Sequence, residues 1–248
     1  MYKFNVERAI EDCCRWIQDW FAANGDGCPA VLGVSGGKDS SVCAALLVRA
    51  LGVHRVIGVM MPRGEQSDIA DSQLLCKHLG IKNVTVNIGE TADALQKAVG
   101  AVTPLSNQAV TNLPPRIRMA TVYMVSQCIG GRVANTCNLS EDYVGYSTRW
   151  GDSVGDFAPL AKFTVQEVKA IGRALGLPAS LVDKAPSDGL CGKTDEDNLG
   201  FTYKELDDYI RGVAEPSPEH KALIDKKHVQ NLFKLEMMPA FPFEPEND

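Results

Sequence analysis

Long apolar runs, C-x-x-C cysteine pairs and an excess of basic charge are all missing from this 248-residue chain. No stretch approaches the roughly 18 apolar residues that mark a membrane span. The start, Met1-Tyr2-Lys3-Phe4-Asn5-Val6-Glu7, has no signal-peptide core. The net charge of −6 speaks against a general nucleic-acid binder. A phosphate-rich ligand would then need locally gathered Lys and Arg. There is no low-complexity tract, internal repeat or linker to suggest a second domain. The eight cysteines are Cys13, Cys14, Cys28, Cys43, Cys76, Cys128, Cys137 and Cys191, and none forms C-x-x-C. They read as reduced thiols in or near the core of a cytoplasmic protein. Cys137 and Cys191 as nucleophiles have no base nearby in sequence.

What is present is apolar periodicity. Val6, Ile10, Cys14, Ile17 and Phe21 mark one face of a helix that ends near Asn24-Gly25. Strands are expected at 30–35, 55–61, 83–88 and 132–136, with helices at 38–51, 67–79, 90–99 and 115–129. Pro114 and Pro115 fall where a helix start tolerates them. This alternation predicts an α/β fold: one doubly wound domain with a mostly parallel sheet and helices on both faces. After Thr136 the pattern changes. Residues 138–156 are polar and glycine-containing; helices are expected at 164–175, 202–213 and 216–234. Residues 186–197 read as a loop able to close over a substrate.

The most telling stretch is Gly33-Val34-Ser35-Gly36-Gly37-Lys38-Asp39-Ser40-Ser41, a glycine loop between the first strand and its helix. A helix start leaves backbone N–H groups unpaired and carries partial positive charge, which suits phosphate. The loop is not the common P-loop, G-x-x-x-x-G-K-S/T. Leu32 stands where its first glycine belongs, and Asp39 follows Lys38. The order Ser-Gly-Gly-x-Asp-Ser instead resembles the loop of the N-type ATP pyrophosphatases, which cut ATP between its α- and β-phosphates.

Further segments, in order, make the resemblance closer. Asn112-Leu113-Pro114-Pro115-Arg116-Ile117-Arg118-Met119 is similar to the N-x-x-x-R-x-R-M helix start of NAD synthetases. Asn135 to Glu141 resembles their G-T-x-x-x-x-E segment, and Arg149 to Asp156 their Y-G-D-x-x-x-D segment. Pro186-Ser187-Asp188-Gly189-Leu190 and the run from Asp195 to Tyr203 resemble P-S/T-x-x-L and D-E-x-x-L-G-x-x-Y. The resemblance implies an adenine nucleotide alpha hydrolase-like fold. It also implies a ligase that makes NAD from deamido-NAD, ATP and ammonia through an adenylated intermediate. Some members of the family carry a glutaminase domain. The loop begins here near residue 33, so the expectation is the ammonia-dependent form, with residues 1–248 as one domain.

The resemblance also implies roles. Gly33, Ser35, Gly36, Gly37, Lys38, Asp39, Ser40, Thr136, Lys162 and Ser187 would hold ATP. Asp39, Glu141 and Ser187 would ligate Mg²⁺, a hard cation that shares oxygen ligands with phosphates. Arg116, Tyr123, Asp152 and Asp156 would hold deamido-NAD, and Lys38, Asp39, Asp152 and Asp156 would carry the chemistry. Arg116 and Tyr123 lie seven residues apart, on one helix face. In the family that helix lies at a homodimer interface, which implies a symmetric dimer. One departure stands out: many members have a phosphate-contacting Lys where this chain has Val165. Lys38, Lys162 or Lys193 would have to restore that charge. Two rivals remain open: a pyrophosphatase adenylating another acceptor, such as a purine or a tRNA base, and a weakened nucleotide-binding homologue. Neither a nucleic-acid partner nor a membrane is expected. His228 is either an exposed helix residue or a site residue.

Overall fold

The computed structural model describes residues 2–65, 69–184, 194–236 and 238–244. Four short strands form one sheet: β1 (Ala30–Gly33), β2 (Val56–Met60), β3 (Lys82–Thr85) and β4 (Arg132–Val133). Their order is β3-β2-β1-β4 and every pairing is parallel. Alternate residues of β1 face opposite layers. Ala30 and Leu32 enter a large apolar cluster with α1 (Val6–Asn24), α2 (Lys38–Leu51), α3 (Ile69–Leu79) and α7 (Val165–Ala174). Val31 turns the other way, to Val59, Val133 and Val122 of α5 (Asn107–Cys128). The sheet is therefore covered on both faces, as a parallel sheet requires.

β1 has β2 on one side and β4 on the other, and its outgoing helix α2 covers only one face. That is a topological switch point, where a crevice opens outside the carboxyl ends of the strands. Beyond β4 lie α6 (Leu139–Val144), α8 (Ala179–Val182), α9 (Asp195–Leu199), α10 (Tyr203–Ile210) and α11 (Pro218–Asn231). A second apolar cluster of Val144, Val165, Leu199, Phe201, Tyr203, Leu206 and Ile224 joins α6, α9, α10 and α11 to the start of α7, whereas α8 packs into the first cluster through Leu181 and Val182. The helix α4 (Gly89–Gly100) packs beside α5.

The expected parallel sheet is present, and every strand pairing among the described residues is parallel. Three other expectations need correction. The last strand stops at Val133, since Ala134 makes only an isolated bridge to Phe157. The helix expected from Pro115 begins at Asn107, capped by the Ser106 side chain, and carries Pro114 and Pro115 inside it. Two consecutive rings lacking N–H groups read as a helix start, yet the turns before them form. The polar stretch 138–156 contains α6, whose Asn138 side chain accepts from the Glu141 N–H while Gly145 closes it with a φ of 66°. The expected closing loop at 186–197 falls largely outside the described residues, as do Ser187, Cys191 and Lys193.

Candidate active site

The loop after β1 is shaped by its own small side chains. Gly36 has a φ of 76°, and a Cβ there would meet Asp71 Cβ at 2.6 Å and Ser72 N at 2.8 Å. Only glycine lets the turn lie this close to α3. The Ser35 and Ser40 hydroxyls lie 3.2 Å apart, and the Gly37 N–H donates to Ser35 Oγ at 3.3 Å. The Ser41 hydroxyl donates to the Gly37 carbonyl at 2.7 Å. Gly37 caps α2 without a side-chain hydrogen bond. The first turn of a 14-residue helix thus offers its N–H groups and its positive end to the crevice.

That crevice is a cavity of about 800 Å³, within the range of small-molecule sites. Its floor is the ends of β1, β2 and β4, at Gly33, Met60 and Val133. Lys38, buried at 5 % exposure, projects into it. The Lys38 ammonium sits 2.8 Å from Asp39 Oδ2 and 3.4 Å from Glu141 Oε1, and 5.6 Å from the centre of the Tyr203 ring. Asn138 Nδ2 donates to the other Asp39 oxygen at 2.9 Å. Burial works against the Lys38 charge, but the two carboxylates outweigh it and hold its pKa above the ordinary lysine value. Burial, then the Asp39 carboxylate, push the Glu141 carboxyl above the usual range, while Lys38 pulls the other way.

Asp39 and Glu141 thus already share one cation, which tests whether the donor set suits a metal. Among the described residues no three His, Cys, Asp or Glu side chains gather into a metal cluster. Two carboxylates beside a phosphate cradle fit Mg²⁺, which usually takes one or two carboxylates and completes its shell with substrate phosphates and water.

The NAD synthase family profile matches residues 9–241. The chain belongs to the NAD synthase family. The NH(3)-dependent NAD(+) synthetase of Finegoldia magna is 37 % identical over 98 % of this chain and 99 % of that one. Among solved structures, the NMN synthetase of Francisella tularensis matches with a TM-score of 0.90 at 29 % identity, covering 97 % of this chain and all of the other. The NH3-dependent NAD synthetase of Campylobacter jejuni matches with a TM-score of 0.78 at 25 % identity, over 96 % of this chain and all of that one.

Against this NAD synthase frame the expected residues fall into two groups. Gly33, Ser35, Gly37, Lys38, Asp39, Ser40, Thr136, Glu141 and Asp152 line the cavity together. Gly36 shapes the loop from behind. Lys162 is exposed and lines neither cavity, and Val165 is buried in the cluster that contains Tyr203. Asp156 accepts from the Val133 N–H at 2.7 Å and from the Tyr123 hydroxyl at 3.1 Å, away from the cavity wall. Burial and this carboxylate push the Tyr123 hydroxyl up to about 12. Arg116 lines a second cleft of about 470 Å³ with Asn112, Arg149, Trp150 and Phe233. His228 stacks on Tyr143 with ring centres 3.9 Å apart, tying α11 to α6. Cys137 donates to the Asp152 carbonyl at 3.1 Å, and its thiol pKa is raised by burial first and by the nearby carboxylates after it. A thiol held neutral in this way makes a poor nucleophile.

Sequence reasoning missed four residues of the cavity region. Asn138 orients Asp39, and its place as the cap of α6 three residues before Glu141 was the available signal. Tyr203 lies beneath Lys38. Lys184, paired with Asp71 at 2.6 Å, and Arg63, paired with Asp93 at 3.0 Å, add positive charge to the wall. Nothing in their sequence neighbourhood marks these last two.

Proposed function

We propose that the protein joins ammonia to the nicotinate carboxylate of deamido-NAD at the cost of ATP, giving NAD, AMP and pyrophosphate. The observation that carries this is the intact Ser35–Ser40 loop, folded at the switch point of a sheet in a chain with full-length resemblance to NH(3)-dependent NAD(+) synthetases. A carboxylate is a poor acylating agent, because its leaving group would be oxide. In the first step a carboxylate oxygen attacks the α-phosphorus of ATP. The bond from that phosphorus to the bridging oxygen breaks, and pyrophosphate leaves. In the second step the ammonia nitrogen attacks the carboxyl carbon, the C–O bond to AMP breaks, and a proton is released.

The α2 N–H groups, the Ser35 and Ser40 hydroxyls and Lys38 would bind the departing pyrophosphate as charge develops on it. Asp39, Glu141 and Ser187 would hold Mg²⁺, which when bound neutralises phosphate charge and stabilises the leaving group. Asp152, on the cavity wall, would face the acceptor and take a proton from the incoming ammonium. Arg116 and Tyr123, on α5, would hold the remainder of the dinucleotide. The exposed Met124 of α5 and Ile129 just after it, with Leu95 and Val99 of α4, support a symmetric dimer through this layer. The seven described cysteines are all free thiols, which suits the cytoplasm, and no described helix is long and apolar enough to cross a membrane.

A second reading, amidation of nicotinate mononucleotide, is favoured by the TM-score of 0.90 to the Francisella protein named NMN synthetase. One incubation separates them. Enzyme, ATP, Mg²⁺ and ammonium are mixed with deamido-NAD or with nicotinate mononucleotide at equal low concentration. Faster formation of NAD, with AMP and pyrophosphate in equal amounts, supports the proposal. A faster mononucleotide reaction supports the second reading, and ADP as product overturns both.

A further inference from the structure

The Asp39–Glu141 pair is already bridged, by a cation that belongs to the chain. Lys38 Nζ lies 2.8 Å from one carboxylate and 3.4 Å from the other, with side-chain exposures of 4 %, 20 % and 15 % for Lys38, Asp39 and Glu141. The face of the Tyr203 ring lies 5.6 Å away, and a cation over an aromatic face is held by its quadrupole. The Tyr203 hydroxyl is buried without a hydrogen-bond partner among the described residues. Two buried like charges repel, and an uncompensated buried carboxylate is costly. The ammonium therefore keeps the pair assembled when no metal is present.

We propose that Lys38 is a resident counter-cation that competes with the divalent ion for the space between Asp39 and Glu141 and yields it when the ion arrives. This rests on the reading of Asp39 and Glu141 as metal ligands. Mg²⁺ approaches its oxygens to about 2.0–2.1 Å, closer than an ammonium can. Both cations cannot bridge the same two oxygens. Loading the pair obliges the ammonium to release at least one carboxylate. Lys38 lines the same wall as Ser35, Gly37 and Ser40, so the displaced ammonium stays in the cavity, within reach of bound phosphates.

The test is binding of Mn²⁺ alone, read by electron paramagnetic resonance without nucleotide at about pH 8, where ligands are free to deprotonate. Lys38→Met removes the competing charge and should tighten Mn²⁺ binding by at least about tenfold. Lys38→Gln keeps polar contact with the carboxylates and covers the case where the methionine variant does not fold; the same tightening is expected. Both variants should also show a larger rise in melting temperature on adding Mn²⁺ than the wild type does. Asp39→Asn and Glu141→Gln should weaken binding. If those two bind Mn²⁺ as the wild type does, the ligand reading fails and takes the proposal with it. If they weaken binding while neither Lys38 variant tightens it, the metal site stands and the exchange is overturned.

Discussion

The two ends of the site are built differently. The end proposed to hold phosphate is compact: Ser35, Gly37, Lys38, Asp39, Ser40 and Glu141 of one chain converge on one cavity, and Asn138 fixes Asp39 at 2.9 Å. The end proposed to hold the acceptor is dispersed. Asp152 stands on the cavity wall, but Asp156 and Tyr123 are engaged with each other and with β4, and Arg116 looks into a second cleft. A phosphate cradle needs only one loop and one helix start. A dinucleotide site needs surfaces that several elements, and in a dimer a second subunit, must bring together.

The sharpest break in that comparison is Asp39→Asn. It should lower turnover by on the order of a thousandfold, since transition-state charge loses its metal. The circular dichroism spectrum should stay unchanged, because an amide keeps the bond to Asn138. Wild-type turnover in this variant would refute the metal role. Gly36→Ala should come next. A Cβ placed 2.6 Å from Asp71 Cβ at positive φ forces the loop off α3. Stability should fall by about 1–3 kcal/mol, and the KM for ATP should rise more than that for the acceptor.

On the acceptor side the effects should be smaller and should separate. Arg116→Ala should raise the KM for deamido-NAD roughly tenfold, about the loss of one charge-assisted hydrogen bond, with the KM for ATP unchanged. A matching rise for ATP would join the two regions that the structure separates. Asp156→Ala should first cost stability, about 1–3 kcal/mol, because it orphans the buried Val133 N–H. A variant as stable as the wild type but slow would move Asp156 from a positioning role into the chemistry.

The smallest effect concerns pH. Asp207 accepts from the Ser140 hydroxyl and the Gln166 N–H, and burial raises its carboxyl to about 6. The folded state then binds this proton more tightly than the unfolded chain, so this group costs stability as pH rises from about 4 to about 6. Asp207→Asn should flatten the denaturation midpoint across that window. An unchanged slope would show that Asp207 does not control it.

The glycine loop after β1 was legible in sequence because its residues are neighbours in the chain and obey local rules. A glycine pair, a small hydroxyl and a helix start announce themselves in nine residues. The parallel sheet was legible for the same reason, through the alternation of apolar runs. What escaped depends on contacts between distant segments. α6 is six residues long, too short for a period, and only its caps Asn138 and Gly145 mark it. The early turns of α5 were hidden because Pro114 and Pro115 look like a beginning. Tyr203 reaches Lys38 across 165 positions, and Lys184 reaches the cavity through Asp71 on α3. Lys162 fits a sequence argument about missing charge, yet the turn before α7 leaves it in solvent.

The proposed reaction begins with attack of the acceptor carboxylate on the α-phosphorus of ATP at this loop. Deamido-NAD labelled with ¹⁸O in both carboxylate oxygens tests it in one turnover with ATP, Mg²⁺ and ammonium. AMP should carry one ¹⁸O, the amide should retain the other, and pyrophosphate should be unlabelled. Label in inorganic phosphate alongside ADP, or AMP without label, would contradict it.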